Sequence, residues 1–312
     1  MKALALKLLG ALLFLTAVAM WLSRAPDWPV ESLVARWAPP PSDFIDVQDQ
    51  LVHLRDVGPR DDAEPLVLIH GSSSSLHTWE GWVKALSPRH RVISFDLPGF
   101  GLTGPRASAD YRGDTDARFV LELMDRLKVQ RFAVAGHSLG GEVAWRTAWL
   151  APQRVARLIL VDATGPDIGP DALPIGWLAG RVPVLNRLFD WVLPRSMVVA
   201  SVRHAYGEPS RVNEALVDRY EQMTLREGNR RALVQRLQQH QRGQDAERIR
   251  ELKVPTLILW GGRDRLVPLP AGRQFAQNIV GSELVVLDDL GHVPHEEDPL
   301  RSVAPVQAFL QR

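Results

Sequence analysis

The chain has 312 residues, 46% of them hydrophobic, enough to bury the core of one catalytic domain carrying an insertion. Its 37 lysines and arginines balance 36 acidic residues, which argues against nucleic acid or another polyanion as a partner. Cysteine is absent, so thiol nucleophiles, disulfides and thiolate metal sites are excluded and covalent catalysis would need another residue.

From Ala3 to Leu22 the only charge is Lys7, which marks a membrane or export element. Counted from Leu8 the apolar run covers about 22 Å as a helix, short of a ~30 Å hydrocarbon core; counted from Ala3 it suffices if Lys7 snorkels. Ala17-Val18-Ala19 has the small-x-small form of a signal-peptidase site, yet Met20, Trp21 and Leu22 extend the apolar run past it. Residues 1–23 are therefore expected to be a membrane anchor, a single N-terminal transmembrane helix, with a cleaved signal peptide as the alternative. Lys2, Lys7 and the terminal amine favour a cytoplasmic N-terminus, which puts the remainder on the extracytoplasmic face of a membrane; cleavage would instead release it as a secreted or periplasmic protein. Residues 24–42, stiffened by Pro39, Pro40 and Pro41, read as a tether, and 43–312 as the folded domain.

Phe44–Val47 and Leu51–Val57 read as an opening antiparallel hairpin. Apolar runs rich in β-branched residues then recur at Leu66–Ile69, Val92–Phe95, Phe132–Ala135, Leu158–Val161, Thr256–Trp260 and Leu284–Leu287, with helix-like segments between them. That alternation predicts an α/β fold with a mostly parallel central sheet flanked by helices. Over ninety residues without a convincing strand separate Val161 from Thr256, so 166–250 is expected to be an inserted helical cap over the carboxyl ends of the strands. Its apolar set Trp177, Leu178, Leu185, Leu188, Phe189, Trp191 and Met197 is expected to pack a core of its own rather than to face a site.

Gly136-His137-Ser138-Leu139-Gly140 follows an apolar run and precedes a helix-like one, the strand–turn–helix setting of a G-x-S-x-G nucleophile elbow. Ser138 is the candidate nucleophile, and the N–H of Leu139 at the helix start is a candidate oxyanion donor. A serine hydroxyl needs a base and an acid that orients the base. His292, in the loop after the last strand, is the candidate base. His295 precedes three acidic residues at a helix start, where a solvated or dipole-related role is expected, and His53, His77, His90, His204 and His240 read as surface or packing residues. For His137, inside the elbow, the backbone is expected to matter more than the ring. Asp264 and Asp162 both follow strands and both fit the order serine, acid, histidine; Gly261 and Gly262 favour Asp264 by allowing a turn that projects it. Asp288, Asp289 and the Asp96–Gly101 stretch read as turns. His70-Gly71-Ser72-Ser73 follows a strand, and Ser72, with Ser73 as near neighbour, could supply a second backbone N–H to an oxyanion.

HG at 70, DLPGFG at 96, GHSLGG at 136, WGGRD at 260 and GHVPHEEDP at 291 resemble, in order and spacing, the α/β-hydrolase superfamily in its capped serine-hydrolase branch, over roughly residues 43–312. The chain looks most like bacterial carboxylesterases and the hydrolases that cleave carbon–carbon bonds of ring-fission products. Epoxide hydrolases and haloalkane dehalogenases are similar but place Asp where this chain has Ser138. The resemblance implies an α/β-hydrolase fold and a Ser138–His292–Asp264 triad cleaving a small or medium apolar ester through an acyl-enzyme, with no metal and no organic cofactor. Carbon–carbon cleavage is the weaker option, with Arg181, Arg187 and Arg195 as cap residues that could hold a substrate carboxylate. The same motifs also allow an acyltransferase or a non-catalytic, membrane-tethered binding module.

Overall fold

A computed structural model describes residues 2–168 and 190–312, with backbone alone at 2, 3 and 5. The described residues form an eight-stranded sheet in the order β1-β2-β4-β3-β5-β6-β7-β8. Its strands are β1 (Ser42–Val47), β2 (Gln50–Val57), β3 (Leu66–Ile69), β4 (Val92–Phe95), β5 (Phe132–His137), β6 (Val155–Val161), β7 (Thr256–Gly261) and β8 (Glu283–Leu287). The β1–β2 hairpin turns through Gln48 and Asp49, both at positive φ, and β2 joins β4 antiparallel; every other pairing is parallel. Each expected strand is present within a few residues. The central ones are buried throughout because helices cover both faces, which is why they read as unbroken apolar runs.

Helices α3 (Glu80–Leu86), α4 (Gly113–Arg126), α5 (Leu139–Leu150), α9 (Leu269–Asn278) and α11 (Pro299–Leu310) flank the sheet, with a short α10 (Pro294–Glu297) before the last. Trp79, Trp82, Leu68, Ile159 and Phe309 fill one core layer; Phe95, Phe119, Trp145, Trp260 and Phe275 fill the other. The insertion is helical where described, with α6 (Arg195–Ala205), α7 (Glu214–Leu225) and α8 (Asn229–Gln239). Trp177, Leu178, Leu185, Leu188, Phe189, Arg181 and Arg187 lie outside the described residues. Trp191 is exposed beside Arg24, whereas Met197 lines a cavity, so these two depart from a shared cap core.

Helix α1 spans Lys2–Leu22, and its described leucines, Phe14 and Trp21 are exposed. Among the described residues no helix is long and apolar enough to cross a membrane, so the expected transmembrane helix is not supported.

The segment read as a free tether is docked instead. It contains α2 (Val30–Trp37), whose Leu33 is buried. Ala25 N–H donates to Trp191 O (2.9 Å), Trp28 N–H to Leu225 O (2.7 Å), and Glu227 N–H to Trp28 O (2.9 Å). Arg230 on α8 donates to Asp27 Oδ1 and to Ala25 O. The cap residues that accept this strap flank the cavity described next.

Candidate functional site

Ser138 sits between β5 and α5 at φ 53°, ψ −118°, a left-handed φ that only a tightly determined turn imposes on a serine. The glycines around it are required by contact. A Cβ on Gly136 would meet Gly140 O at 2.0 Å, and one on Gly140 would meet Ile69 O at 2.2 Å. Ser138 N–H donates to Val161 O, while its carbonyl accepts from the N–H groups of Gly141, Glu142 and Thr164, which pins the elbow to β6 and the loop beyond it. The residue is 9% exposed and lines a cavity of about 270 Å³.

His292 lines the same cavity, and its Nδ1–H donates to Asp264 Oδ2 at 2.7 Å. Asp264 Oδ1 accepts from the N–H groups of Leu266 and Val267 (2.8 and 2.9 Å), so the carboxylate is oriented by its own turn. The loop of His292 is held from three sides. His292 N–H donates to Ala205 O at the end of α6 (2.7 Å). His137 Nε2–H donates to His292 O (2.7 Å). Buried Glu297 accepts from the N–H groups of Gly291, Gly207 and Glu208 and so ties that loop to the cap.

His137 therefore contributes its ring, contrary to the expectation that its backbone mattered more. Its ring lies 4.7 Å from that of His292 and 4.5 Å from that of His295. Nor is His295 solvated: it is fully buried against Trp79, with Nε2 3.0 Å from Thr78 Oγ. A short helix packed against α3, α11 and the turn at Leu76–Trp79, rather than an exposed helix start, accounts for the difference. Burial, reinforced by the neighbouring histidines, holds His137 and His295 well below the usual imidazole range, so both are neutral behind His292. Of the remaining histidines, His53 donates to Asp96 and is core packing, but His240 lines the cavity beside Glu142, 3.8 Å away. Asp96 does shape its turn, accepting from the N–H groups of Leu76 and Leu102.

Ser72 and Ser138 share the cavity wall, Leu139 begins α5, and neither the Ser72 nor the Leu139 N–H has a described acceptor. The Ser72 loop presses on the elbow: a Cβ on Gly71 would lie 2.7 Å from His137 Nδ1 and 3.1 Å from Ser138 Cβ. Leu193, Met197, Val198, Val202, Leu233 and Leu237 form an apolar wall, while Glu142, Thr164, His240 and Gln244 form a polar one. Glu142 is paired with Arg146 and accepts from Thr164 Oγ. Arg195 is not in the cavity wall; Glu214, Asp218 and Glu221 hold it. The arginines that are, Arg230 and Arg242, went unmarked in the sequence because nothing distinguishes them from the other cap arginines. Glu297 was legible only as one of three acids in a row.

Asp162, Asp264 and His292 bring potential ligand atoms within 4.8 Å of one another. Two metal bonds near 2 Å would hold nitrogen and oxygen about 3 Å or more apart, so the 2.7 Å Nδ1–Oδ2 contact fits a shared proton better than an ion.

Sheet order, elbow and inserted helices together define an α/β-hydrolase. The family described as alpha/beta hydrolase fold matches residues 64–299, and the chain belongs to it. It is 34% identical over 254 residues to a dihydrolipoyllysine-residue acetyltransferase component of an acetoin cleaving system from Pseudomonas putida, a match covering 80% of this chain and 64% of that one. The chain thus spans under two thirds of that relative. It is 29% identical over 264 residues to a 2-hydroxy-6-oxononadienedioate/2-hydroxy-6-oxononatrienedioate hydrolase from Escherichia coli, covering 80% of this chain and 89% of that one. Among solved structures, a membrane phospholipase A described as a bacterial virulence factor shares the fold with a TM-score of 0.75 at 23% identity, over 100% of this chain and 98% of that one.

Proposed function

We propose that this hydrolase cleaves a small or medium apolar ester with Ser138 as nucleophile, His292 as general base and Asp264 as the acid that orients it. The observation that carries the reading is the His292–Asp264 hydrogen bond facing the same cavity as a strained, nearly buried serine. His292, kept with Nδ1 protonated, takes the Ser138 proton as the hydroxyl attacks the acyl carbon. The N–H groups of Ser72 and Leu139 receive the oxyanion, each worth about 3 kcal/mol in the transition state. The leaving alcohol takes the proton from His292, and water then repeats the sequence to release the acid. The apolar wall supports an aliphatic acyl group; the polar wall supports a hydroxyl-bearing leaving group.

A fluorophosphonate tests the assignment: it labels the wild type on Ser138 and leaves Ser138→Ala unlabelled, with p-nitrophenyl butyrate turnover lost in the same variant. Label retained in Ser138→Ala sinks it. A second reading, cleavage of a carbon–carbon bond in a vinylogous diketone acid, draws on the Escherichia coli relative and on Arg230 and Arg242 in the cavity wall. Efficient cleavage of such an acid, lost in Arg230→Met while ester turnover persists, would favour it over the ester reading.

Attachment to a membrane through α1 is part of the same proposal, because a helix presenting Leu8, Leu9, Leu12, Leu13, Phe14 and Leu15 to water needs an apolar cover. The catalytic domain would then work at the extracytoplasmic surface of that membrane. Carbonate-resistant sedimentation with membranes checks it, and a mature chain beginning at Met20 would indicate a cleaved signal instead.

A further inference from the structure

Asp162 fits the sequence pattern of a triad acid as well as Asp264 does, yet it makes no contact with His292 that would give it that role. It follows β6 in a left-handed backbone conformation, φ 45°, and is fully buried. Its Oδ1 accepts from Gly261 N–H at 2.9 Å. Its Oδ2 is buried with no N–H or hydroxyl donor among the described residues. A carboxylate oxygen in that position would bear charge with nothing to stabilise it. What does adjoin Asp162 is the Asp264 carboxylate, already an acceptor from Leu266, Val267 and His292.

We infer that Asp162 is a positioning residue for the proposed triad: a neutral carboxylic acid whose Oδ2–H donates to the Asp264 carboxylate and, through it, fixes His292. The inference rests on the serine-hydrolase reading above. Two carboxyl groups in a dry site cannot both ionise cheaply, and one proton held between them relieves both. Burial first, then the Asp264 charge, and then the hydrogen bond that only the protonated acid can make to Asp264 raise the Asp162 carboxyl well above the usual carboxylate range. The charged groups acting on Asp162 are Asp264, after β7, and Glu297, on α10, both acidic. His292, beyond Asp264, also faces His137 on β5 and His295 on α10. Donation from Asp162 withdraws charge from Asp264, so the imidazolium formed during turnover is held less tightly.

Two variants of the full chain test this. Asp162→Asn keeps both a donor and an acceptor and suits the left-handed φ; Asp162→Gly removes them without straining the backbone. With p-nitrophenyl butyrate, the Asn variant keeps kcat within about threefold, and the acidic limb of kcat/KM stays where it is. In the Gly variant kcat falls about ten- to a hundredfold, the worth of a hydrogen bond to a charged group, and the acidic limb moves to higher pH with KM little changed. Independently of activity, the infrared C=O band of a protonated carboxylic acid is present in the wild type at neutral pH and missing in Asp162→Asn. An acidic limb that moves to lower pH in the Asn variant, or no such band to lose, means that Asp162 is ionised and overturns the inference. If the wild type is not labelled on Ser138 by a fluorophosphonate, the serine-hydrolase reading fails instead, and the infrared comparison still reports on Asp162.

Discussion

Ser138 and Gly71 show how little room surrounds the proposed chemistry. The elbow strains the serine backbone, and the Gly71 loop closes on it so tightly that one methyl would strike the ring of His137. Gly71→Ala is therefore expected to fold with a loss of about 1–2 kcal/mol. It should cut kcat about tenfold or more, because His137 would shift and carry with it the His292 carbonyl that it holds. Thermal unfolding and p-nitrophenyl butyrate kinetics on one preparation check both parts, and unchanged kinetics would show that the Ser72 loop is slack. Asp264→Asn should keep the fold but lower kcat about 10³–10⁴-fold, since an amide can present its N–H to Nδ1 and favour the wrong imidazole tautomer. A loss under tenfold would remove Asp264 from the role proposed for it.

At the scale of elements, two of the seams that hold the cap to the rest of the chain bear on the cavity. One is the N-terminal strap, where Asp27 and Ala25 hold Arg230; the other is Glu297, which joins the end of α6 to the His292 loop. Arg230 is 3% exposed, so removing its carboxylate leaves a buried cation poorly compensated. Asp27→Ala should then destabilise the protein by about 2 kcal/mol and speed hydrogen exchange over residues 226–234. The double variant Asp27→Ala, Arg230→Met should recover part of that loss, because the buried charge goes with its partner. Equal stability of the single and double variants in urea would mean that the strap carries no such load. Glu297→Gln should weaken catalysis without touching the cavity wall, since one of the three N–H groups at the seam would lose its acceptor.

Over the whole molecule, buried neutral histidines erode stability in acid, outnumbering the protonated Asp162, which acts the other way. His77 donates Nε2–H to Trp37 O, faces Ser75 Oγ through Nδ1, and is pushed down to about 4 by burial. Between pH 6.5 and 4 the unfolded chain binds the proton and the folded one does not, so stability is full above pH 6.5 and falls as pH drops through that window. His77 alone accounts for about 3 kcal/mol of that loss, and His137 and His295 act in the same direction. Urea unfolding from pH 7 to 4.5 should show the decline, and His77→Gln should make it shallower; a flat profile in the wild type would contradict it.

What the sequence determined by itself was whatever depends on neighbours in the chain. The strands announced themselves because burial on both faces forces unbroken apolar runs, and the elbow because Gly136 and Gly140 must lack side chains where strand and helix touch. The pairing of His292 with Asp264 was legible from loop positions at the carboxyl ends of strands. Only the tertiary structure decided what depends on residues far apart in the chain. It joined Asp27 to Arg230 across some two hundred residues, turned an apparent tether into a docked strap, buried His295, and set Asp162 against Asp264. Desolvation and partner charges arise only when distant segments pack, so a lone Asp, His or Arg reads alike in the chain whether it ends in water or in a dry site.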